Sequence, residues 1–238
     1  MNHHLFTLGN PKTMKGEAQG WLTAILHLHP GSVRICPWAS AECIALCLNT
    51  AGRGGIGLDA EGNNTIQLAR KRRTEFFLND GAEFYLRICQ EVEHWRRYAA
   101  KRELRLAVRI NGTSDQPGFA GGVARHFAGT GVRFYDYTKC FGAWDRNPQV
   151  HYTFSRSELN WGECTIALDR GVNVAVVFKV GKGQPLPRDW DGYRVIDGDA
   201  HDLRFLDPQG SVGYVVGLRA KGRAKKATAG GFVVDVGD

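Results

Sequence analysis

Apolar residues fall into two rhythms along this chain. Residues 21–28 form the first apolar run and read as a buried strand. Helical spacing then takes over in two segments. Over residues 65–78, Ile66, Leu68 and Ala69 gather on one side and Arg70, Lys71, Arg72 and Arg73 on the other. Over residues 81–100, Phe84, Ile88, Val92 and Trp95 recur every three to four residues, with Arg87, Glu91, Arg96 and Arg97 on the charged face. Beyond residue 100 the rhythm changes to short β-branched and aromatic runs at 104–110, 132–137, 151–155, 172–180, 193–196, 211–218 and 232–236, each bounded by Gly, Asp, Asn or Pro. With the first run these make about eight strands. Val174-Ala175-Val176-Val177-Phe178 is apolar without alternation, which suits a strand covered on both faces in a parallel sheet. The helices after residue 110 are too few for a closed eightfold barrel. The pattern predicts a single α/β domain over residues 1–238: an open or partial (β/α) barrel with mostly parallel strands and a C-terminal antiparallel hairpin made by the last two of them.

Composition agrees with one globular domain. The chain has 238 residues, 43% hydrophobic and 23% charged, close to the usual ~45–50% and ~25%. Glycine stands out at 30 residues, about twice the usual share of ~7%, so many tight loops are expected. No apolar run approaches the ~20 residues of a membrane span, and the Met-Asn-His-His start has no apolar signal core. The expected location is the cytoplasm, with no membrane partner. The net charge of +7 favours a polyanionic partner, nucleic acid or nucleotide, although such an excess also serves solubility alone.

Six cysteines in a reducing compartment are read as metal ligands, catalytic thiols or packing residues before disulfides. Cys36, Cys43 and Cys47 lie within twelve residues directly after the first strand. Cys43 and Cys47 are four apart, so one helical turn would put both on one face, with Cys36 folding back from the preceding loop. Three converging thiolates suit a soft metal: an iron-sulfur cluster with one iron left open, or zinc with a further ligand such as His27 or His29. The bland alternative is three small buried side chains. Cys89, Cys140 and Cys164 lack metal spacing and read as packing thiols.

Ligands of parallel α/β sheets bind beyond the carboxyl ends of the strands, and polar clusters sit at those ends here. Arg109-Ile110-Asn111-Gly112-Thr113-Ser114-Asp115, Tyr135-Asp136-Tyr137-Thr138-Lys139 and Phe154-Ser155-Arg156-Ser157-Glu158 each close a strand. Asp197-Gly198-Asp199 closes another, as a metal or ribose site or as an ordinary turn. Asn111, Asp115 and Asp136 are the expected cofactor-binding residues, and Lys139, Arg156 and Glu158 the expected catalytic ones. Arg219, Lys221, Arg223, Lys225 and Lys226 form a basic run that either clamps phosphates or tips a solvated hairpin.

Taken together, Lys12-Thr13-Met14-Lys15-Gly16, the Cys36-Pro37-Trp38-Ala39-Ser40 start of the cysteine loop, Ala51-Gly52 and the three strand-end clusters resemble the phage "gene product 88" family from about residue 9 to 235. That resemblance implies a phage or prophage origin and carries no activity with it. A looser likeness of layout is to radical S-adenosylmethionine enzymes, in which a first strand, a three-cysteine loop and helical material precede a strand ending in a polar motif. It implies a partial barrel, a three-cysteine cluster and S-adenosylmethionine as cofactor, with residues 111–115 meeting its amino acid end. The cysteine spacing departs from that layout, with six and then three intervening residues in place of three and then two. The expectation is a metal-dependent, iron-sulfur phage enzyme acting on a nucleotide, a nucleic acid base or a related phosphorylated substrate. The rival is a zinc-stabilised nucleic-acid-binding or anti-defence protein without catalysis.

Overall fold

The computed structural model describes residues 4–8, 11–227 and 231–236. The first three residues, used above in reading for a targeting segment, lie outside them. In chain order the elements are β1 (Phe6–Thr7), α1 (Pro11–Glu17), β2 (Trp21–Leu26), α2 (Ala41–Ala45), α3 (Thr65–Asn79), α4 (Gly81–Ala100), β3 (Arg105–Arg109), α5 (Pro117–His126) and β4 (Arg133–Thr138). There follow α6 (Ala143–Arg146), β5 (Val150–Ser155), α7 (Trp161–Asp169), β6 (Val174–Phe178), β7 (Asp189–Trp190), β8 (Tyr193–Asp197), β9 (Val215–Arg219) and β10 (Val233–Val234). The two long helices start where side chains can receive their first free amides: Asn64 accepts from Gln67 N and Asp80 from Glu83 N. No helix among the described residues is long and apolar enough to cross a membrane.

The strands form one open, mostly parallel sheet in the order β1-β2-β3-β4-β5-β6-β9-β8-β7. Every neighbouring pair from β2 through β8 is parallel, and only the marginal pairs β1–β2 and β7–β8 are antiparallel. The carboxyl ends of β2, β3, β4, β5, β6, β9 and β8 therefore share one rim. The expected α/β architecture is the one observed, with one change of place. The antiparallel hairpin near the C-terminus is β7–β8 at the sheet margin, not the last two strands. β10 instead pairs parallel with β6 at Val177 and Phe178, on the side that β5 leaves after Val174 and Ala175.

Alternation along the strands divides the two faces. Leu22, Ala24 and Leu26 of β2, Leu106 and Val108 of β3, Phe134 of β4 and Val150 and Tyr152 of β5 share one core with Phe84, Ile88 and Val92 of α4 and Ala120 and Val123 of α5. Phe154, Val174, Val176 and Phe178 continue this face over Cys164, Ala167 and Leu168 of α7. On the other face Trp21, Ala107 and Tyr135 pack with Leu203 and Phe205 from the β8–β9 connection.

The apolar stripe of α4 holds, although Glu91 of its expected charged face is buried, where it accepts from Leu5 N at 2.9 Å and pairs with Arg87 at 3.3 Å; the amphipathic reading of α3 does not hold. Leu68 is exposed, Gln67 is fully buried, and Arg70 and Arg73 are half-buried. The inward cations find backbone carbonyls: Arg70 Nη1 donates to Asn49 O at 2.6 Å and Arg73 Nη1 to His27 O at 3.4 Å.

Candidate functional site

Between β2 and α3 the chain makes a long excursion over the rim, and each of its three cysteines has an anchor within four residues. At the first, the loop after β3 is stitched to this segment: Gly112 N donates to Leu26 O at 2.9 Å and Asp115 N to Ile35 O at 3.0 Å. Gln116 Nε2 donates to Arg34 O at 2.7 Å, and Cys36 Sγ lies 4.0 Å from Thr113 O. This approach needs glycine at 112, where a Cβ would stand 2.6 Å from both Leu26 O and Ile25 Cγ2. At the second anchor Ser40 caps α2, accepting from Cys43 N, and Glu158 accepts from Ser40 Oγ at 2.6 Å and Glu42 N at 3.1 Å. At the third, Asn49 Nδ2 donates to Gln67 Oε1 at 3.0 Å, Gln67 Nε2 donates to the backbone carbonyls of Asn49 at 2.9 Å and Gly54 at 2.7 Å, and Arg70 holds Asn49 O. The helix α2 ends at Ala45, so Cys47 follows it instead of sharing a helical turn with Cys43.

All three thiols line one cavity of about 380 Å³. Its other walls come from the strand ends: Arg109 and residues 111–115 after β3, Tyr137, Thr138 and Lys139 on β4, Ser155 and Arg156 on β5, Ala175 and Val177 on β6, and Leu218, Arg219 and Lys221 on β9. Asp202 and Phe232 complete it. The loops at 111–115, 136–139 and 155–158 thus share the rim of the cysteine loop, as parallel connections require.

The expected site residues divide into those that face the cavity and those that hold others in place. Asp136 is fully buried behind the wall and accepts from Asn111 N at 2.8 Å and Asn111 Nδ2 at 3.0 Å. Asn111 Oδ1 in turn accepts from Ser114 Oγ and Gln116 N. Asp115 accepts from Thr138 Oγ1 at 2.7 Å and Lys139 N at 2.8 Å. The side chains expected to bind a cofactor are therefore engaged in shaping the loop; Asn111 and Asp115 still line the cavity beside Gly112, Thr113 and Ser114, whereas Asp136 does not. Glu158 stands outside the lining and positions the cysteine segment. Arg156 lines the cavity but donates Nη1 to Gly231 O at 2.8 Å, next to Phe232, whose amide donates to Glu42 at 2.6 Å. Of the three expected catalytic residues, Lys139 alone faces the cavity with no hydrogen bond or ion pair at Nζ among the described residues; Nζ lies 5.4 Å from the Phe232 ring centroid.

Electrostatics follow burial. Burial pushes the Cys36 thiol up to about 11 and raises Cys47; Cys47 and Cys43 add to the rise at Cys36, and Cys43 to that at Cys47. Burial pushes Asp136 up to about 7 against the pull of Arg109 and the Asn111 donors. For Glu158 burial acts upward too, but the bonds from Ser40 and the backbone outweigh it and hold the carboxyl below its ordinary range. Burial, with Arg70, Arg109 and Arg73 nearby, lowers His27 to about 3, which keeps it neutral. Neither His27 nor His29 lines the cavity, so neither supplies the further zinc ligand considered above.

Three thiols on one wall are a fitting donor set for a soft metal, and the raised pKa values of Cys36 and Cys47 are what uncompensated burial of such ligands produces. Among the described residues, no three His, Cys, Asp or Glu side chains stand close enough to hold a single ion. Three sulfurs at ~2.3 Å from one zinc would lie ~3.8 Å apart, whereas ligands of separate irons in a cluster are spread more widely.

In the basic run, Arg219 Nη1 lies 3.0 Å from both Asp197 oxygens and Lys221 Nζ 2.5 Å from Asp199. Both aspartates, considered above for metal or ribose, are therefore counter-ions. Arg223, Lys225 and Lys226 are exposed on a short 3-10 turn anchored by buried Ala224, in place of the expected hairpin tip. Sequence reasoning missed the anchoring residues Ser40, Glu42, Asn49 and Gln67, whose partners are far away in sequence or carry no motif. Arg109 opens a strand-end cluster that sequence reasoning did place on the rim, but it received no role there.

The sequence model of the Gene product 88 family matches residues 4–235. The chain belongs to that family of phage proteins. No curated protein and no solved structure matches it. Most of the motifs that carry the family resemblance, from the cysteine loop to the three strand-end clusters, meet around the one cavity.

Proposed function

We propose that this member of the gene product 88 family is a metal-dependent enzyme whose cavity holds an iron-sulfur cluster on Cys36, Cys43 and Cys47 and acts on a nucleotide, a nucleic acid base or a related phosphorylated substrate. One observation carries the reading: three thiols from separately anchored turns face a single cavity at the carboxyl ends of parallel strands, opposite a wall of cations. When bound, such a cluster would supply an electron and an open coordination position. S-adenosylmethionine is the cofactor that the layout implies; residues 112–114 would meet its polar end, while Asn111, Asp115 and Asp136 keep that loop in place. Glu158 and Ser40 hold the cysteine segment, and Lys139 orients the substrate. Protein purified without oxygen should contain iron and acid-labile sulfide and absorb visible light. Metal-free, colourless protein after anaerobic reconstitution would overturn the reading.

A second reading, a zinc-stabilised nucleic-acid binder, is favoured by the exposed Arg223, Lys225 and Lys226. One zinc per chain and salt-sensitive binding of DNA or RNA would support it.

A further inference from the structure

We propose that Arg109 and Lys139 form a phosphate subsite in the cavity, and that its ligand is a phosphate monoester or diphosphate on a small organic body that extends towards the thiols. This names a substrate class for the site proposed above and rests on that cavity being the active site, though not on which metal it holds.

Five cationic side chains line the cavity (Arg109, Lys139, Arg156, Arg219 and Lys221) against two carboxylates, Asp115 and Asp202. Three of the cations are committed elsewhere: Arg219 to Asp197, Asp199 and Gln184 O, Lys221 to Asp199, and Arg156 to the carbonyls of Gly231 and Phe232. Arg109 and Lys139 differ from these. Arg109 is the last residue of β3, and its guanidinium lies 4.7 Å from the Tyr137 ring centroid. Nη1 makes one long hydrogen bond, 3.4 Å to Asp202. Nε is buried without a hydrogen-bond partner, 3.8 Å from Asp136 and so within ion-pair range only. A guanidinium has five N–H donors in a fixed fork; among the described residues Nη2 makes no hydrogen bond and Nη1 only the long one, so the Nη edge is the part left for a ligand, while Nε is closed off by burial. Lys139 Nζ adds a second cation without an anionic partner among the described residues. A stacked guanidinium and a lysine facing one cavity suit a phosphate bearing two negative charges, the arginine by its fork and the lysine as a point charge. The volume of about 380 Å³ lies in the range of small-ligand pockets, ~300–1,000 Å³, and suits a mononucleotide-sized molecule better than a polynucleotide.

Titration calorimetry of the full chain with inorganic pyrophosphate tests this, with an unphosphorylated single-stranded oligonucleotide as competitor. The expected result is saturable pyrophosphate binding, weakened about tenfold or more in Lys139→Gln and in Arg109→Lys, which keeps the charge but loses the fork. Lys139→Gln touches no buried ion pair and should fold normally, whereas Arg109→Gln would leave Asp202 and Asp136 without their cation. Absence of pyrophosphate binding at millimolar concentration, unchanged affinity in folded Lys139→Gln, or displacement of pyrophosphate by lower concentrations of oligonucleotide would overturn the proposal. Metal content is measured on the same samples. In the wild-type protein, bound metal without pyrophosphate binding overturns only the subsite, and saturable pyrophosphate binding without metal overturns only the cluster.

Discussion

The helix side of the sheet and its opposite face are built from alternate residues of the same strands, and they solve different problems. On the helix side, Phe84 is fully buried with Phe76, Phe77 and Phe119 around it at ring distances of 5.2–5.9 Å. Apolar contact there is non-directional, and what matters is volume. On the other face Tyr135 donates to Asp202 at 2.9 Å, Arg204 lies 3.4 Å from Asp207 with its side chain wholly buried, and burial with Arg204 nearby lowers His151 to about 4. Buried polar groups are costly unless paired, so this face is specified partner by partner. The cavity opens at its rim, and some of its donors remain unpaired there. The comparison locates stability on one side of the sheet and chemistry on the other.

The largest expected effect lies on the apolar side. Phe84→Ala should cost about 3–5 kcal/mol, the usual range for a buried aromatic, measured by urea denaturation. A loss near that of a surface substitution would break the contrast.

Next comes the junction of the two faces at the rim. Gly112→Ala should cost about 1–3 kcal/mol as overpacking, because its Cβ would meet the Leu26 carbonyl and Ile25. If the account is right, the cavity suffers as well as the fold, so the variant should retain less metal than Phe84→Ala at equal stability.

The rim of the helix side, where Asp136 follows Phe134 on the same face of β4, predicts a pH dependence that the apolar contacts around Phe84 cannot have. The folded-state pKa of Asp136 is raised to about 7, so the stability associated with its protonation is fully present below the unfolded value of ~3.9 and is lost as pH rises through about 7. Relative to Asp136→Asn, which does not titrate, the wild type should lose stability between about pH 5 and about pH 8. A constant difference across that window would place the carboxylate's pKa at an ordinary value.

Much of this contrast was legible in the sequence, and the failures have physical causes. The buried strands declared themselves through β-branched runs, and the strand-end motifs fell on one rim because parallel connections leave no alternative. The helix α5 was missed since Gly118, Gly121 and Gly122 depress its propensity. Yet Gly121 is needed there, where a Cβ would lie 2.0 Å from Asn147 Oδ1. The inner face of α3 was misread because Arg70 and Arg73 are drawn inward by carbonyls of Asn49 and His27, distant groups that no helical periodicity encodes. Asp136 looked like a cofactor ligand and Glu158 like a catalytic group for a related reason. A carboxylate that holds a loop and one that meets a substrate are identical in sequence, and only the partner, 116 residues away for Glu158 and Glu42, tells them apart.

The smallest expected effect on stability concerns the exposed cations. Replacing Arg223, Lys225 and Lys226 together with Ala should change stability by less than about 0.5 kcal/mol per site. If they do touch phosphates, the dependence of log affinity on log salt should flatten by about two units. An unchanged slope would leave the basic turn as a solvated surface and sharpen the assignment of anion binding to the cavity.

The central claim is that the chain sorts its six cysteines by place: Cys36, Cys43 and Cys47 on the cavity, Cys89, Cys140 and Cys164 buried away from it. Iron and sulfide content after anaerobic reconstitution of the six single Cys→Ser variants tests it most directly. The account predicts that each of the first three loses most of its iron, while the other three keep the wild-type amount once corrected for folded protein. Equal retention across all six, or iron lost from Cys89→Ser, Cys140→Ser or Cys164→Ser while the cavity variants keep theirs, would contradict it.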